Sequence, residues 1–394
     1  MPAASETSRN VPSPRLTYSL SCSDGSCRGV QDKLYVNRGD GTFRDVSEAA
    51  GILAAEGRGL GIVVWDYTGD GLLDMFVAND TSANFLWVHQ GTDSEGIPHF
   101  RDEGVVRGVA FNQDGHATAS MGVAAGDANG DGQIELFITN FFAESSTLFS
   151  LRSGGFFEEQ TRDMNLRASS FWMLGFGCQF ADLDGDGWED LIVTNGHVDQ
   201  KSARGDPDRL PPQIFRNQQG RRFTEVPAES LGAFFQRRYL GRGLAKFDWN
   251  RDGRVDVGIS HLHGPFALLT NRTPPAGRML NVRLAGRSGC REPIGATVTV
   301  DTDDSRIVRF LTAGDGFLAT NERSLSFAVP QERETVRIEV AWPGGRHQQW
   351  NGVRTDQEVL LIEDQVEAIP RQQFPLSRVQ VSSVSAKHLQ FRQK

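Results

Sequence analysis

Four stretches of the chain share one pattern of apolar and polar positions. They read GLGIVVWDYTGDGLLDMFVAND, SMGVAAGDANGDGQIELFITNF, GFGCQFADLDGDGWEDLIVTNG and GRGLAKFDWNRDGRVDVGISHL. In each, a short apolar strand containing small residues runs into an acidic turn, and a second apolar strand leaves it, which predicts a β-hairpin. The first acidic residues fall at Asp66, Asp127, Asp182 and Asp248, 55 to 66 residues apart. A second phrase also recurs, in LYVNRGDGTFRDV, FLWVHQGTDSEGIPHFRDE, TLFSLRSGGFFEEQT and IFRNQQGRRFTEV, and its glycine-centred turn fits two more strands. Four short antiparallel strands per repeat, with no helical period, predict an all-β chain built of β-propeller blades. Glycines ahead of each acidic turn, such as Gly61, Gly122, Gly177 and Gly243, suit inner strands crowded near an axis.

The count of phrases is uneven. Leu34 to Val46 carries the second phrase before any acidic hairpin, so the pattern gives four full repeats plus a half blade whose first half is missing. Either residues 1–30 replace lost blades, or the half blade completes the last one.

The acidic turns follow D-x-[DNT]-x-D-G-x-x-[DE], which places oxygen ligands at alternate positions and glycine where the chain must turn sharply. Calcium is the expected ion, about four per chain, held by strand-loop-strand sites. The expected ligands are Asp66, Thr68, Asp70 and Asp74; Asp127, Asn129, Asp131 and Glu135; Asp182, Asp184, Asp186 and Asp190; and Asp248, Asn250, Asp252 and Asp256. Backbone carbonyls of Leu72, Gln133, Trp188 and Arg254 complete the four sets. An EF-hand would need Glu at its twelfth position, where Val77, Ile138, Val193 and Ile259 stand inside a strand. Thirteen carboxylates on four turns repel one another unless cations balance them, and the turn with four of them is expected to bind tightest. Each turn can saturate an ion with its own residues and water, so the expected role is structural.

Composition narrows the partners. A formal net charge of -9 and a pI near 5.5 argue against nucleic acid. No run is long and apolar enough to span a membrane, and the opening MPAASETSRNVPSPRLTYSL has no apolar core of a signal peptide, which by itself points to the cytoplasm. Cys22 and Cys27 are close enough for a small disulfide loop, with unpaired thiols as the alternative.

The acidic hairpins, VTNGHV at 193–198 and FALLTN at 266–271 resemble FG-GAP/VCBS propeller repeats, and the order of phrases is similar to the ASPIC/UnbV family. REPIGATVTV (291–300), TAGDGFLATNE (312–322) and VAWPGGRHQQW (341–350) resemble that family's C-terminal domain, a compact β-sandwich. SFAVP at 326–330 departs from the family's His-Phe-Gly-Leu-Gly-like phrase there. The resemblance implies an irregular segment 1–30, a propeller over 31–275, a β domain over 276–365 and a tail over 366–394. It further implies a chain truncated at its start, and export to the cell envelope or beyond.

Function is expected to be binding or adhesion toward a glycan or an extracellular protein. The alternatives are an enzyme acting on polysaccharide or a natural-product intermediate at a propeller face, with His197 as candidate base, and a nonfunctional fragment. Arg38-Gly39-Asp40 and Arg204-Gly205-Asp206 spell an integrin-type tripeptide that chance explains, and Asn79-Asp80-Thr81 and Asn271-Arg272-Thr273 spell glycosylation sequons. Trp172, Trp188 and Trp249 are candidates either for a ligand surface or for packing between blades.

Overall fold

The structure is a computed structural model of the chain and describes residues 29–53, 57–198, 208–288, 290–302, 305–374 and 391–393. Cys22, Cys27 and the second Arg-Gly-Asp triplet lie outside these residues.

Each repeat folds as a meander, because successive apolar strands joined by short connections pair with their sequence neighbours. The half blade is a two-stranded sheet, β1 (Tyr35–Asn37) with β2 (Phe43–Asp45). Blade one follows as β3 (Gly59–Trp65), β4 (Asp74–Asn79), β5 (Phe85–Thr92) and β6 (Pro98–Asp102). Blade two is β7 (Val123–Gly126), β8 (Glu135–Ile138), β9 (Thr147–Arg152) and β10 (Phe156–Glu159). Blade three is β11 (Gly175–Ala181), β12 (Asp190–Asn195), β13 (Gln213–Asn217) and β14 (Phe223–Glu225). Blade four has β15 (Gly241–Phe247), β16 (Asp256–His261) and β17 (Ala267–Asn271) from the repeat itself.

Blades stack face to face because both faces of each sheet are apolar. Val63, Phe76 and Leu86 of blade one meet Val123, Leu136 and Phe149 of blade two. Ala124, Phe137 and Leu148 then meet Phe180, Leu191 and Phe215, and Ala181, Ile192 and Ile214 meet Leu244, Val257 and Leu269. Each of the larger side chains contributes about 1.5–3 kcal/mol by leaving water. Along the hub β3, β7, β11 and β15 run side by side. A side-chain carbon at Gly61 would lie 2.6 Å from the Met121 carbonyl oxygen, and one at Gly177 2.6 Å from the Leu244 amide nitrogen, so these strands approach closely only as glycine.

The half blade does not complete the last blade. Val36, Val46 and Ile52 pack instead on Val77, Phe85 and Trp87 of blade one. Blade four takes its fourth strand from the end of the chain.

The C-terminal region forms two sheets. One has the order β22 (Leu325–Val329), β18 (Arg278–Ala285), β25 (Gln357–Ile362), β26 (Ile369–Gln373). The other has the order β20 (Arg306–Phe310), β19 (Thr297–Asp301), β23 (Thr335–Ala341), β24 (His347–Arg354). Leu280, Phe327 and Val359 from the first face Val298, Ile338 and Trp350 from the second, which makes a β-sandwich. The segment after 365 is more than a tail: β26 extends the first sheet, and β27 (Phe391–Gln393) pairs with β17 to finish blade four.

Between β20 and β22 the chain leaves the sandwich as a strap across the hub. Its β21 (Ala313–Gly314) pairs with Val64 and Val63 of β3, and Gly316 bridges to Val123 of β7. Phe317 packs 5.0 Å from Phe176 of β11. The side-chain oxygen of Asn321 accepts the Lys246 amide of β15 at 2.9 Å. The strap therefore touches the inner strand of every blade.

Candidate metal centre

The four acidic turns fold to one template, which follows from the repeat of their residue types. The first Asp accepts the amide of the glycine five residues on: Gly71 at 2.8 Å from Asp66, Gly132 at 3.1 Å from Asp127, Gly187 at 2.8 Å from Asp182 and Gly253 at 2.8 Å from Asp248. These glycines have φ between 79° and 94°, a region costly for any side chain. The closing carboxylate is tied from across the hairpin as well. Asp74 accepts the His89 amide at 2.8 Å, Asp190 the Asn217 amide at 2.8 Å and Asp256 the Asn271 amide at 2.7 Å. In turn two the longer Glu135 instead reaches the Asn129 side-chain amide at 2.8 Å.

The turns differ in how their carboxylates gather. In turn three Asp182, Asp184 and Asp190 are all buried and bring one oxygen each within 4.8 Å of one another. Among the described residues, that is the acidic or His/Cys group of three that converges so tightly. Asp186 lies at its edge, and the Arg216 guanidinium sits 2.6 Å from Asp184 and 3.3 Å from Asp186. In turn one Asp70 is exposed and Asp66 and Thr68 are half-buried, leaving only Asp74 fully enclosed. In turn four Asp256 has a buried carboxylate oxygen with no hydrogen-bond partner, while Asp252 pairs with Arg254.

Burial dominates the electrostatics of the turns. Burial pushes Asp182 up to about 7, with the neighbouring Asp186 adding to the effect and Arg309 opposing it. Asp190 is driven far above the ordinary carboxylate range by burial and then by Asp184 and Asp182. Burial likewise raises Asp256 to about 7, and Asp74 and Asp127 to about 6 each. Glu135 is raised further by burial and by Asp127, and Asp248 is raised by burial. Carboxylates enclosed this way resist ionising until a cation joins them. The oxygen-only donor set, the three converging carboxylates and the orphan oxygen of Asp256 fit a hard divalent cation.

Other residues singled out in the sequence are placed elsewhere. His197 is buried between Phe141 and Phe142, 5.5 and 6.5 Å between ring centres, and its backbone is held by Asp208 and Arg242. Both sequon asparagines are buried and bonded inward, Asn79 to the Ala83 carbonyl and Asn271 to the Leu183 carbonyl, each at 2.8 Å. Asp40 accepts the Thr42 amide and hydroxyl of its own turn. Trp188 packs on Gly130 and Gly220, and Trp249 donates to Thr270 at 3.0 Å. Trp172 is 60% exposed and braced by Phe171 and Phe142 at 4.8 and 5.5 Å.

Several residues around the turns escaped the sequence reading. Glu189 accepts the Asp127 amide of the preceding blade at 3.1 Å, and the nearly buried Arg309 pairs with Glu189 at 3.4 Å. Asn217 donates to the Ala128 carbonyl of turn two at 2.7 Å, as Asn271 does to Leu183 of turn three. The signal for these two asparagines was present, since each ends the strand that follows its acidic hairpin.

Comparison with known proteins agrees with this geometry. The profile described as FG-GAP-like repeat matches residues 20–77, 66–138, 127–193 and 182–259, and the one described as ASPIC and UnbV matches residues 286–368. Cartilage acidic protein 1 of Homo sapiens is 29% identical over 211 residues, covering 51% of this chain and 29% of that protein. The Mus musculus protein of the same name is 29% identical over 213 residues, and the Xenopus tropicalis one 26% over 208, each with 51% of this chain and 30% of the relative covered. The matched stretch thus spans less than a third of these relatives.

Proposed function

The chain belongs to the FG-GAP-like repeat family, and from that premise we propose that it is a calcium-stabilised binding module of the extracellular type. The single observation that carries the calcium reading is the convergence of buried Asp182, Asp184 and Asp190 in turn three. Calcium supplies positive charge that offsets their mutual repulsion and holds the hairpin closed. In turn three it would be held by those residues with Asp186 and the Trp188 carbonyl. The other three turns would use Asp66, Thr68, Asp70, Asp74 and the Leu72 carbonyl; Asp127, Asn129, Asp131, Glu135 and the Gln133 carbonyl; Asp248, Asn250, Asp252, Asp256 and the Arg254 carbonyl. Each turn can saturate an ion with its own residues and water, so the role assigned to the ion is structural.

Recognition of a glycan or an extracellular protein is then left to the surface. The braced, exposed indole of Trp172 supports an aromatic contact for such a partner. Relatives named cartilage acidic protein support an extracellular setting, where calcium is abundant enough to fill sites of modest affinity.

The test is thermal unfolding with EDTA and with millimolar calcium, together with bound-metal stoichiometry. The expected result is about four ions per chain and a large calcium-dependent rise in Tm. No bound calcium and no shift would overturn the reading. Glycan-array binding of the wild type and of Trp172→Ala, both calcium-loaded, tests the surface, with loss of binding expected in the variant at unchanged Tm.

A further inference from the structure

All four acidic turns lie against the C-terminal region. Turn one meets it where the Gly344 amide donates to the Gly71 carbonyl at 3.3 Å, and turn two where Gly132 abuts Val308. In turn three the Ala276 and Gly277 amides donate to the Asp184 and Gly185 carbonyls at 2.9 and 2.7 Å, and Arg309 reaches the Gly187 carbonyl at 3.2 Å. In turn four Glu322 of the strap accepts the Asp248 amide at 2.9 Å, and Gln372 donates to the Arg251 carbonyl at 2.8 Å.

Glu322 has a counterpart inside the repeats. Glu189 of blade three accepts the amide of Asp127, the first ligand position of blade two, and Glu322 accepts the amide of Asp248, the first ligand position of blade four. The Glu322 amide also donates to the Lys246 carbonyl of β15 at 3.1 Å. The strap thus gives blade four what a following blade gives blade two. Glu322 is itself clamped by Arg251 and Arg283, the latter on β18 of the sandwich, so its position reports whether the sandwich is seated.

We propose that cation binding by the acidic turns and docking of the C-terminal β domain are thermodynamically linked, with Glu322 as the positioning residue that couples them at turn four. The inference rests on the calcium reading above. Linkage is reciprocal: calcium tightens docking by the same factor by which docking tightens calcium binding. Glu322→Ala removes the acceptor that fixes the first ligand, whereas Glu322→Gln keeps a carbonyl oxygen there.

The experiment is calcium titration calorimetry and amide hydrogen exchange on the full chain, for wild type, Glu322→Ala and Glu322→Gln. In the wild type, calcium is expected to slow exchange of strap residues 311–324 more than that of the sandwich core strands β19 and β23. Glu322→Ala is expected to weaken one calcium site by roughly 5- to 10-fold, the lower end of ordinary coupling between sites, and to speed strap exchange in calcium. Glu322→Gln is expected to recover most of that affinity. Calcium uptake with unchanged strap exchange, or equal calcium binding in Glu322→Ala and wild type, overturns the linkage alone. No calcium uptake by the wild type overturns the calcium reading and the linkage with it.

Discussion

Turn three and turn one carry the same ligand formula in different surroundings. Turn three has four candidate ligand carboxylates, three of them buried and converging, under a roof made by residues 276–277 and Arg309. Turn one substitutes Thr68 for the second Asp, leaves Asp70 exposed, and meets the C-terminal region at Gly71, which accepts one long hydrogen bond from Gly344, and at Leu73, which packs on Gly295. The contrast teaches that the motif sets which atoms can bind a cation, while burial sets how strongly they need one. Buried carboxylates have lost the hydration that stabilises their charge, so a cation bound in turn three would restore more free energy than one at an exposed site.

The largest expected effect separates the two turns directly. Asp184→Asn should remove one ion from the stoichiometry and lower calcium-dependent stabilisation by about 3–4 kcal/mol, the linkage expected of a site saturated several hundred-fold. Asp70→Asn in turn one should cost clearly less, and equal losses in calcium-dependent melts would erase the distinction. In EDTA the loss should shrink, because one charge that opposes ionisation of Asp182 and Asp190 is gone while only the pair with Arg216 is given up.

Next is the roof itself. Arg309→Leu leaves Glu189 buried without its partner and should destabilise the chain by about 3 kcal/mol in urea unfolding, with or without calcium, as expected for breaking a buried pair. Among the described residues no guanidinium plays that part over turn one, where Gly344 donates to the Gly71 carbonyl.

A pH series sharpens the comparison further. Asp182 titrates near 7 when folded without metal and near its ordinary value of 3.8 when unfolded. Between those values the folded chain holds the extra proton, so this group's contribution to stability falls as pH rises from about 4 to about 7. The difference in EDTA stability between wild type and Asp182→Asn should follow that slope. The same difference for Asp74→Asn should level off near pH 6. Calcium should flatten both, and coincident curves for the two turns would break the comparison.

The smallest effect concerns the resident cation. Arg216 lies beside Asp184 and Asp186 in turn three and is partly exposed. Removing it as Arg216→Gln should raise calcium affinity by only a few-fold, consistent with roughly 0.5–1 kcal/mol for a half-screened ion pair. Unchanged or weaker calcium binding in titration calorimetry would show that the guanidinium does not compete with the ion.

Much of the blade structure was legible because it is local. The apolar hairpins, their acidic turns and the glycine at the sixth position are written into each repeat, and the sheets follow from pairing with sequence neighbours. What the repeat could not reveal are partners distant in sequence. Glu189 looks like one more acidic residue of its turn, yet it serves Asp127, 62 residues earlier. Asn79 and Asn271 spell sequons, but their side-chain amides are bonded to the Ala83 and Leu183 carbonyls. Turn three's convergence could be anticipated from its four carboxylates, whereas the raised proton affinity of Asp256 comes from burial that its own sequence does not encode.

By itself the sequence determined the repeat, the four acidic turns and the β character of the C-terminal region, since these depend on residue spacing within a few strands. Only the tertiary structure decided that β27 finishes blade four, that residues 311–324 leave the sandwich to cross every inner strand, and that the acidic turns face the sandwich. These pairings join residues from 74 to more than 200 positions apart, in contacts such as Asp248 with Glu322 and β3 with β21. No local pattern specifies them, because any exposed strand edge or buried carboxylate accepts whichever complementary group the packed cores bring within reach.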